Sequence, residues 1–228
     1  NDEKLANKLG EIQNNTEFLD KKTIRKIVLH MVLYQFFGHP LTSFVGKYFL
    51  WILYKLNLLI PNLTFDEKRC KRPEKYPIRL SNIQAKIGLS QLRKIDANIE
   101  HRRLIAKMYE KSLRRLGVKI NYCTESYNPA YIRYAFLVKD REKLKEVFRR
   151  NLIELGEWFN SPIHPKGSSL ENVFYDKGSC PIAEFLAEHI VNLPTHPKIK
   201  MKDVNRIINI LKNSREILFI DNGWVNNV

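Results

Sequence analysis

The pattern of hydrophobic positions changes along the chain, and its first part predicts helices. Leu5 and Leu9 recur at helical spacing behind Asn1, a residue type that often caps helices. From Ile24 to Pro61 most positions are apolar, and the Gly-His-Pro sequence at residues 38–40 interrupts this run near its middle. The sequence therefore predicts a short amphipathic helix, followed by two apolar helices that are joined at residues 38–40.

A charged stretch with two prolines, DEKRCKRPEKYP, separates these helices from a region with a different pattern. A long helical stripe of apolar residues follows it. We expect one helix here, kinked near Gly88 and ending at Gly117, because glycine is common just after a helix C-terminus. The charged stretch with its prolines therefore indicates a boundary between two regions of the chain at residues 66–77.

The C-terminal half alternates between strand-like and helix-like segments. Asp140 is expected to cap a helix that runs to Gly156, and Pro181 is expected in the first turn of another helix. The unit is therefore predicted to be α+β, with helices on one face of a short sheet. The predicted strands are YIRYAFLV (131–138), EWFNS (157–161) and VNLP (191–194), and the sequence KMKDVNRIINILKN (200–213) predicts the closing helix.

Composition and charge indicate a folded, strongly basic chain. Hydrophobic residues make up 44% and aromatic residues 11% of its 228 positions, and the formal net charge is +15 at pH 7. This charge favours phosphorylated small molecules, acidic membrane surfaces or nucleic acid as partners. We expect no nucleic acid, because the basic residues are spread along the chain without a zinc-finger, RRM or helix-turn-helix pattern. Cys70, Cys123 and Cys180 form no disulfide or metal-binding pattern, which favours a reducing cytoplasm and no metal site.

The apolar run from Ile24 to Pro61 needs a partner surface. Each half is shorter than a membrane-spanning helix and is interrupted by lysines. Packing against protein is our first interpretation, and peripheral contact of residues 24–61 with a membrane surface is the second. Because a monomer rarely exposes so large an apolar surface, we expect a homodimer or a larger assembly.

A turn fixed by prolines follows the second predicted strand. Pro162 and Pro165 hold His164 outside any regular element, since proline cannot donate a ladder hydrogen bond. Adjacent residues of a strand point to opposite sides, so only one of Trp158 and Phe159 can face a ligand. We assign Trp158 to the ligand, because its indole offers a stacking face and an N–H donor, and Phe159 to the core. The alternative is that Trp158 lies in the core and His164 is a surface turn residue.

Three blocks of sequence carry a resemblance to a known family. They are RLSNIQAKIGLSQLRKIDANIEHRR, GEWFNSPIHP and GSCPIAEFLAEHIVNLPTHPKI, in this order. They resemble the C-terminal small domain of the DegT/DnrJ/StrS-type sugar aminotransferases, and residues 1–20 resemble a helix of that family's large domain. The resemblance implies that residues 71–228 are the small α+β domain of a fold-type-I PLP aminotransferase, with a long helix and a short antiparallel sheet, preceded by a helical insertion at residues 21–70.

The resemblance also implies a function, the PLP-dependent transamination of a nucleotide-linked keto-sugar with an amino donor such as glutamate. The family's Schiff-base lysine lies in the large domain, and no lysine segment of this chain matches it, so we expect no catalytic residue in residues 1–228. The chain would then be the C-terminal portion of an enzyme of polysaccharide or amino-sugar biosynthesis. One alternative is a non-catalytic paralogue or subunit of that family, and another is a basic membrane-surface or nucleic-acid-binding module.

The family motifs carry over to a few positions. In the family, an Asn two positions before an Arg reaches the PLP phosphate. Here Arg79 matches the Arg, which implies a cofactor ligand, while Pro77 stands at the Asn position. Arg79 could instead cap a helix start or pair with an acid. His164 matches a family His that lines the active-site mouth, and Trp158 and Phe159 replace a His-Tyr pair, so the resemblance implies Trp158 and His164 as substrate ligands. His196, in the third block, is expected to order its turn and not to contact substrate.

Overall fold

The structure is a computed structural model that describes residues 2–37, 43–60, 65–72, 76–118, 120 and 128–220. The chain forms two compact units, Asn1–Ser90 and Gln91–Val228. In chain order its elements are α1 (Glu3–Asn14), α2 (Lys21–Phe37), α3 (Ser43–Lys55), α4 (Phe65–Lys68), α5 (Asn82–Leu92), α6 (Ile95–Arg115), β1 (Arg133–Leu137), α7 (Arg141–Arg150), α8 (Pro181–His189), β2 (Ile190–Pro194) and α9 (Met201–Asn213), with 3₁₀ turns at Glu171–Val173 and Arg215–Ile217.

The first unit begins with the predicted amphipathic helix. The cap of α1 is Asp2, one residue later than predicted, and its carboxylate accepts a hydrogen bond from the Leu5 N–H at 3.0 Å. The two predicted apolar helices are confirmed as α2 and α3, while their joint at residues 38–40 lies outside the described residues. None of the residues of α2 is buried, although the helix is rich in apolar side chains.

Contacts between α2 and α3 show that they form an antiparallel hairpin. The ring centroids of Phe37 and Phe49 lie 5.4 Å apart, and His30 Nε2 lies 3.0 Å from the hydroxyl of Tyr54. In these two pairs the residue number is lower on α2 where it is higher on α3, so the helices run antiparallel. Gly46 is buried against Phe37, and any side chain at this position would clash with the Phe37 side chain. The close approach of the two helices therefore depends on a glycine.

The second unit is built around a two-stranded antiparallel sheet. β1 pairs with β2 in the register Arg133 with Pro194 through Leu137 with Ile190. Tyr134 and Phe136 are buried and alternate with half-buried neighbours, so one face of β1 is turned to the core. The core also contains residues of α6 (Ile105, Ala106, Tyr109, Leu113), α7 (Leu144, Phe148), β2 (Val191, Leu193) and α9 (Val204, Ile207, Ile208, Ile210, Leu211). This is a mixed α+β arrangement.

Three predictions about where helices of the second unit begin or end are confirmed. The carboxylate of Asp140 accepts a hydrogen bond from the Lys143 N–H at 2.8 Å at the start of α7. Pro181 occupies the first turn of α8. Gly117 follows α6 with φ of +86°, a conformation that favours glycine.

Three sequence predictions for this region are wrong. The long helix breaks at Arg93 and Lys94, between α5 and α6, and not at Gly88. The segment EWFNS is not a strand, because Gly156 makes only an isolated bridge with Asn192 before the chain turns. α7 ends at Arg150 instead of running to Gly156.

The structure divides the chain at residue 90, whereas the boundary at residues 70 and 71 was drawn from family resemblance and stays a prediction.

Candidate functional site

Arg102 of α6 is hydrogen-bonded to the end of the sheet at which β1 begins. Arg102 Nη1 donates to the Ile132 carbonyl oxygen at 2.7 Å and to Thr195 Oγ1 at 3.2 Å, and its Nε donates to Asn98 Oδ1 at 2.6 Å. Thr195 is buried and donates its own hydroxyl proton to the Tyr131 carbonyl oxygen at 2.6 Å. These bonds fix the guanidinium of Arg102 by uncharged acceptors, so its positive charge is not neutralised.

A second arginine at the same end of the sheet lies against an aromatic ring. The guanidinium carbon of Arg133 lies 5.4 Å from the centroid of the Trp158 ring, within cation–π range. Arg133 passes over Gly156, where a Cβ atom would lie 2.5 Å from Arg133 Nη1. The guanidinium can keep this place without moving only because residue 156 has no side chain.

The loop that carries Trp158 is held by one buried amide side chain. Asn192 of β2 is 1% exposed, and its Nδ2 donates to the carbonyl oxygen of Trp158 at 2.9 Å and, more weakly, to that of Gly156 at 3.5 Å. The main-chain N–H of Gly156 in turn donates to the Asn192 carbonyl oxygen at 3.0 Å. The sheet therefore positions the loop through its main chain, and the Trp158 side chain stays 45% exposed.

Five basic side chains gather around this end of the sheet, and we refer to them as the cation cluster: His101, Arg102, Arg133, His196 and Lys198. The pKa of His196 is lowered from its usual value, first because desolvation of the imidazole disfavours its charged form, and then because of the positive charges of Arg102, Lys198 and Arg133. The pKa of Arg102 is lowered as well, first by burial and then by the charge of Arg133.

Among the described residues, the cation cluster has no acidic partner. Within the part of the chain that the structure describes, none of its five members forms an ion pair with a carboxylate. The buried Nε2 atom of His101 also lacks a hydrogen-bond partner among those residues. Like charges held close together disfavour the folded state, and a bound anion would relieve that repulsion. The arrangement suits a ligand that carries phosphate groups and a flat ring, the phosphates on the arginines and the ring on Trp158.

A neighbouring cleft in the same unit shows the opposite arrangement of charge. It has a volume of about 270 Å³, and its lining includes Glu142, Lys145, Glu157 and Lys166. Lys145 Nζ lies 2.5 Å from a Glu157 oxygen and 3.1 Å from a Glu142 oxygen. The hydrogen bond from Lys145 holds the pKa of Glu157 below its usual value, and Glu157 raises the pKa of Lys145. Because Lys145 is paired with both glutamates, the cleft is a weaker candidate for an anion site.

The structure places the sequence-predicted site residues in both units. Arg79 lies in the first unit, where its guanidinium carbon is 4.6 Å from the centroid of the Phe18 ring and its main-chain N–H donates to the Glu17 carbonyl oxygen at 2.8 Å. Trp158 and His164 lie in the second unit, and both are exposed. Of the three, Trp158 is brought next to the cation cluster.

The assignment of Phe159 to the core is wrong. Its side chain is 59% exposed, and its ring packs edge-on against Trp158 with the centroids 6.1 Å apart. The assignment assumed that residues 157–161 alternate as a strand, but Phe159 has φ of +60°, which turns the chain. Both aromatic rings therefore reach the surface.

The described residues do not by themselves form a site for PLP. Arg79 is the phosphate ligand implied by the resemblance, and it stacks on Phe18, while Pro77 offers no side-chain donor to a phosphate. A single arginine does not provide the set of phosphate and ring contacts that PLP needs. The described residues also contain no cluster of three or more His, Cys, Asp or Glu side chains that could hold a metal ion.

Sequence reasoning missed most of the cation cluster. Arg102 and Arg133 were not singled out, and His196 was expected only to order its turn. The cluster draws on residues of α6, β1 and the turn after β2, which are far apart in sequence. For Arg133 the available signal was a charged residue within an otherwise apolar predicted strand, YIRYAFLV.

Comparisons with known proteins agree on one family. The model of the DegT/DnrJ/EryC1/StrS aminotransferase family matches residues 66–212. The GDP-perosamine synthase of Escherichia coli O157:H7 is 33% identical over 132 residues, which are 57% of this chain and 35% of that protein. The GDP-perosamine synthase of Caulobacter vibrioides is 28% identical over 133 residues, or 57% of this chain and 36% of that protein.

The fold is also similar to solved structures. A DegT DnrJ EryC1 StrS aminotransferase from Brucella abortus matches with a TM-score of 0.53 and 23% identity, over 68% of this chain and 40% of that chain. At this identity the likeness shows the fold alone. The chain spans little more than a third of the length of the curated relatives it matches.

Proposed function

The chain belongs to the DegT/DnrJ/EryC1/StrS aminotransferase family, whose model covers more than half of it, and from this premise we propose that it is the C-terminal portion of an aminotransferase acting on nucleotide-linked keto-sugars. The aminotransferases of this family are PLP-dependent. Relatives named for GDP-perosamine and for UDP-linked keto-sugars support the substrate class. Amino-sugar or polysaccharide biosynthesis is the corresponding role, with a donor such as glutamate and a homodimeric or larger assembly.

The cation cluster beside Trp158, which pairs with no carboxylate among the described residues, is the observation that carries this proposal. A nucleotide-sugar presents two negatively charged phosphates between two flat or ring-shaped ends. Arg133 and Arg102 would bind the diphosphate, and the exposed face of Trp158 would stack on the base or the sugar ring. His164, held in the exposed turn that follows, would contact the same ligand from its rigid position.

The test is calorimetric titration of the protein with UDP, GDP and inorganic pyrophosphate. We expect Trp158→Ala to weaken the binding of UDP or GDP by about fivefold or more, since stacking on an aromatic side chain contributes ~1–3 kcal/mol per base. It should leave the affinity for pyrophosphate unchanged. Arg133→Gln should weaken all three ligands, and the loss should shrink as salt is raised.

Trp51→Ala serves as the matched control, because Trp51 is a similarly exposed tryptophan in the first unit. Equal affinity of wild type and Trp158→Ala for both nucleotides would refute the assignment of Trp158. If Arg133→Gln also left pyrophosphate binding unchanged, the cation cluster would not be the diphosphate site.

A non-catalytic member of the same family is the second candidate. It is favoured by Pro77 in place of the expected Asn and by the engagement of Arg79 with Phe18. Both candidates predict nucleotide binding, so the titrations do not separate them. Transfer of an amino group from glutamate to a nucleotide-linked keto-sugar, assayed with PLP and the natural full-length protein, distinguishes the two.

A further inference from the structure

The hairpin of α2 and α3 leaves much of its apolar surface uncovered. No residue of α2 is buried, and large side chains of both helices are more than half exposed, among them Tyr34 at 63%, Tyr48 at 68% and Trp51 at 54%. The contacts that hold the hairpin together, such as Phe37 with Phe49 and His30 with Tyr54, use other positions. The uncovered residues are therefore available for a contact outside the hairpin.

On α2 four of the exposed residues form a stripe with a basic end and an apolar end. Lys22, Arg25, Leu29 and Val32 follow one another at spacings of three or four, which places them on one side of the helix. All four are exposed, including Leu29 at 41% and Val32 at 48%. Without a partner, the apolar end of this stripe would stay in contact with water, and covering it with another apolar surface would be favourable.

On α3 a second exposed stripe combines aromatic rings with a lysine. Tyr48, Trp51 and Lys55 have the same helical spacing and are all exposed. The rings of Tyr48 and Trp51 are stacked with centroids 5.9 Å apart, and Lys55 Nζ lies 5.4 Å from the Trp51 ring. Trp, Tyr and Lys side chains that group in this way are typical of helices at the boundary between lipid headgroups and acyl chains.

The charge of the hairpin has a single sign. From Lys21 to Phe65 the sequence contains no aspartate or glutamate. Its charged residues are Lys21, Lys22, Arg25, Lys26, Lys47 and Lys55. A protein surface that matched the hairpin would have to supply apolar area and acidic groups together, whereas an anionic bilayer supplies both everywhere on its surface. Among the described residues, every helix is too short or too polar to cross a membrane.

We infer that the α2–α3 hairpin docks this protein onto an anionic lipid surface, with Tyr48 and Trp51 at headgroup level and the basic residues near lipid phosphates. The sequence alone favoured a protein partner for this surface. The position of the exposed stripes and the lack of acidic residues favour lipid instead. This inference does not depend on the proposed nucleotide-sugar chemistry, because the hairpin and the cation cluster belong to different units.

The test is co-sedimentation of the purified protein with vesicles of phosphatidylcholine that do or do not contain phosphatidylglycerol. We expect binding to the anionic vesicles, with little to the neutral ones, and a decrease as salt is raised. Lys22→Ala and Arg25→Ala should each weaken binding about fivefold, the equivalent of the ~1 kcal/mol that a basic residue contributes near an anionic surface. Trp51→Ala should weaken binding by a similar factor at low and at high salt.

Trp158→Ala is the matched control and should sediment like wild type, because Trp158 lies in the second unit. Equal binding to neutral and anionic vesicles would overturn the inference. So would the absence of binding in a folded protein, as judged by circular dichroism. A dimer that remains intact with vesicles and in which Trp51→Ala weakens self-association instead of lipid binding would identify a second copy of the chain as the occupant.

Discussion

The two units of the chain both contain many large apolar side chains but place them differently. In residues 91–228 these side chains form one core, in which Ile105, Tyr109, Phe148 and Leu193 are fully buried. Among the described residues of the first unit, only Leu59 belongs to the buried hydrophobic set. An apolar segment therefore does not by itself indicate a core. The apolar residues of the second unit stabilise its fold, whereas most of the large apolar side chains described in the first unit are exposed.

The largest expected effect tests this difference with one substitution made in both units. Leu113→Ala, on α6, removes a side chain that is 1% exposed, and it should lower the free energy of unfolding by ~2–5 kcal/mol through lost burial and a new cavity. Leu29→Ala, on α2, removes a side chain that is 41% exposed and should change the free energy of unfolding by less than about 0.5 kcal/mol. Urea unfolding of both variants gives the two values. Similar losses would show that the α2 surface is covered in solution and would break the comparison.

An intermediate effect is expected at the buried polar group of the second unit. Asn192→Leu removes the donor to the carbonyl oxygens of Trp158 and Gly156 and should lower the free energy of unfolding by ~1–3 kcal/mol. The loop should also loosen, which increases acrylamide quenching of the Trp158 fluorescence, measured in a background in which the other two tryptophans are replaced by phenylalanine. Asn205→Leu, at an exposed position on α9, is the matched control and should change neither quantity. Unchanged quenching in Asn192→Leu would show that the loop does not depend on this anchor.

The smallest effect concerns the pH dependence of the cation cluster. The pKa of His196 is lower in the folded protein than in the unfolded chain, so the unfolded chain takes up a proton first as the pH falls. The contribution of His196 to the free energy of unfolding is thus complete above the unfolded-state pKa of about 6.5 and declines as the pH falls through it.

Chemical denaturation between neutral and mildly acidic pH checks this expectation. His196→Gln should depend less on pH than wild type over that window, because glutamine takes up no proton. Inorganic pyrophosphate should reduce the decline in wild type, since a bound anion stabilises the protonated imidazole. Identical pH profiles for wild type and His196→Gln would mean that folding does not lower the pKa of His196.

Features set by neighbours in sequence could be predicted, and features set by distant residues could not. Asp140, Pro181 and Gly117 act within one helical turn, and all three predictions were confirmed. The kink was wrongly placed at Gly88, which lies within α5 with no atom near its missing side chain, so nothing forces a bend there. A glycine in a helix lowers helix propensity, but it does not fix where the helix ends.

The candidate site shows the same limit. Trp158 and His164 could be named from one block of sequence, and their roles in binding stay predictions. The wrong assignment of Phe159 followed from reading Trp-Phe as a strand, because such residues favour strands whenever the chain continues extended. The charges of Arg102 and Arg133 interact because α6 packs against β1, and that contact cannot be predicted from the spacing of the two residues in the sequence.

Asn192 anchors the loop through the main-chain carbonyl oxygens of Gly156 and Trp158, and every residue type carries such an oxygen. Exchanges at residues 157 and 158 therefore alter the chemistry that the loop presents while its path is kept, provided that residue 156 remains glycine. The same holds at residue 159 for side chains that tolerate its φ of +60°. A lineage can diversify its ligands in this way through a few exposed side chains without rebuilding the fold. For a laboratory library aimed at altered specificity, these three positions are the first to randomise, with Asn192 and Gly156 left unchanged.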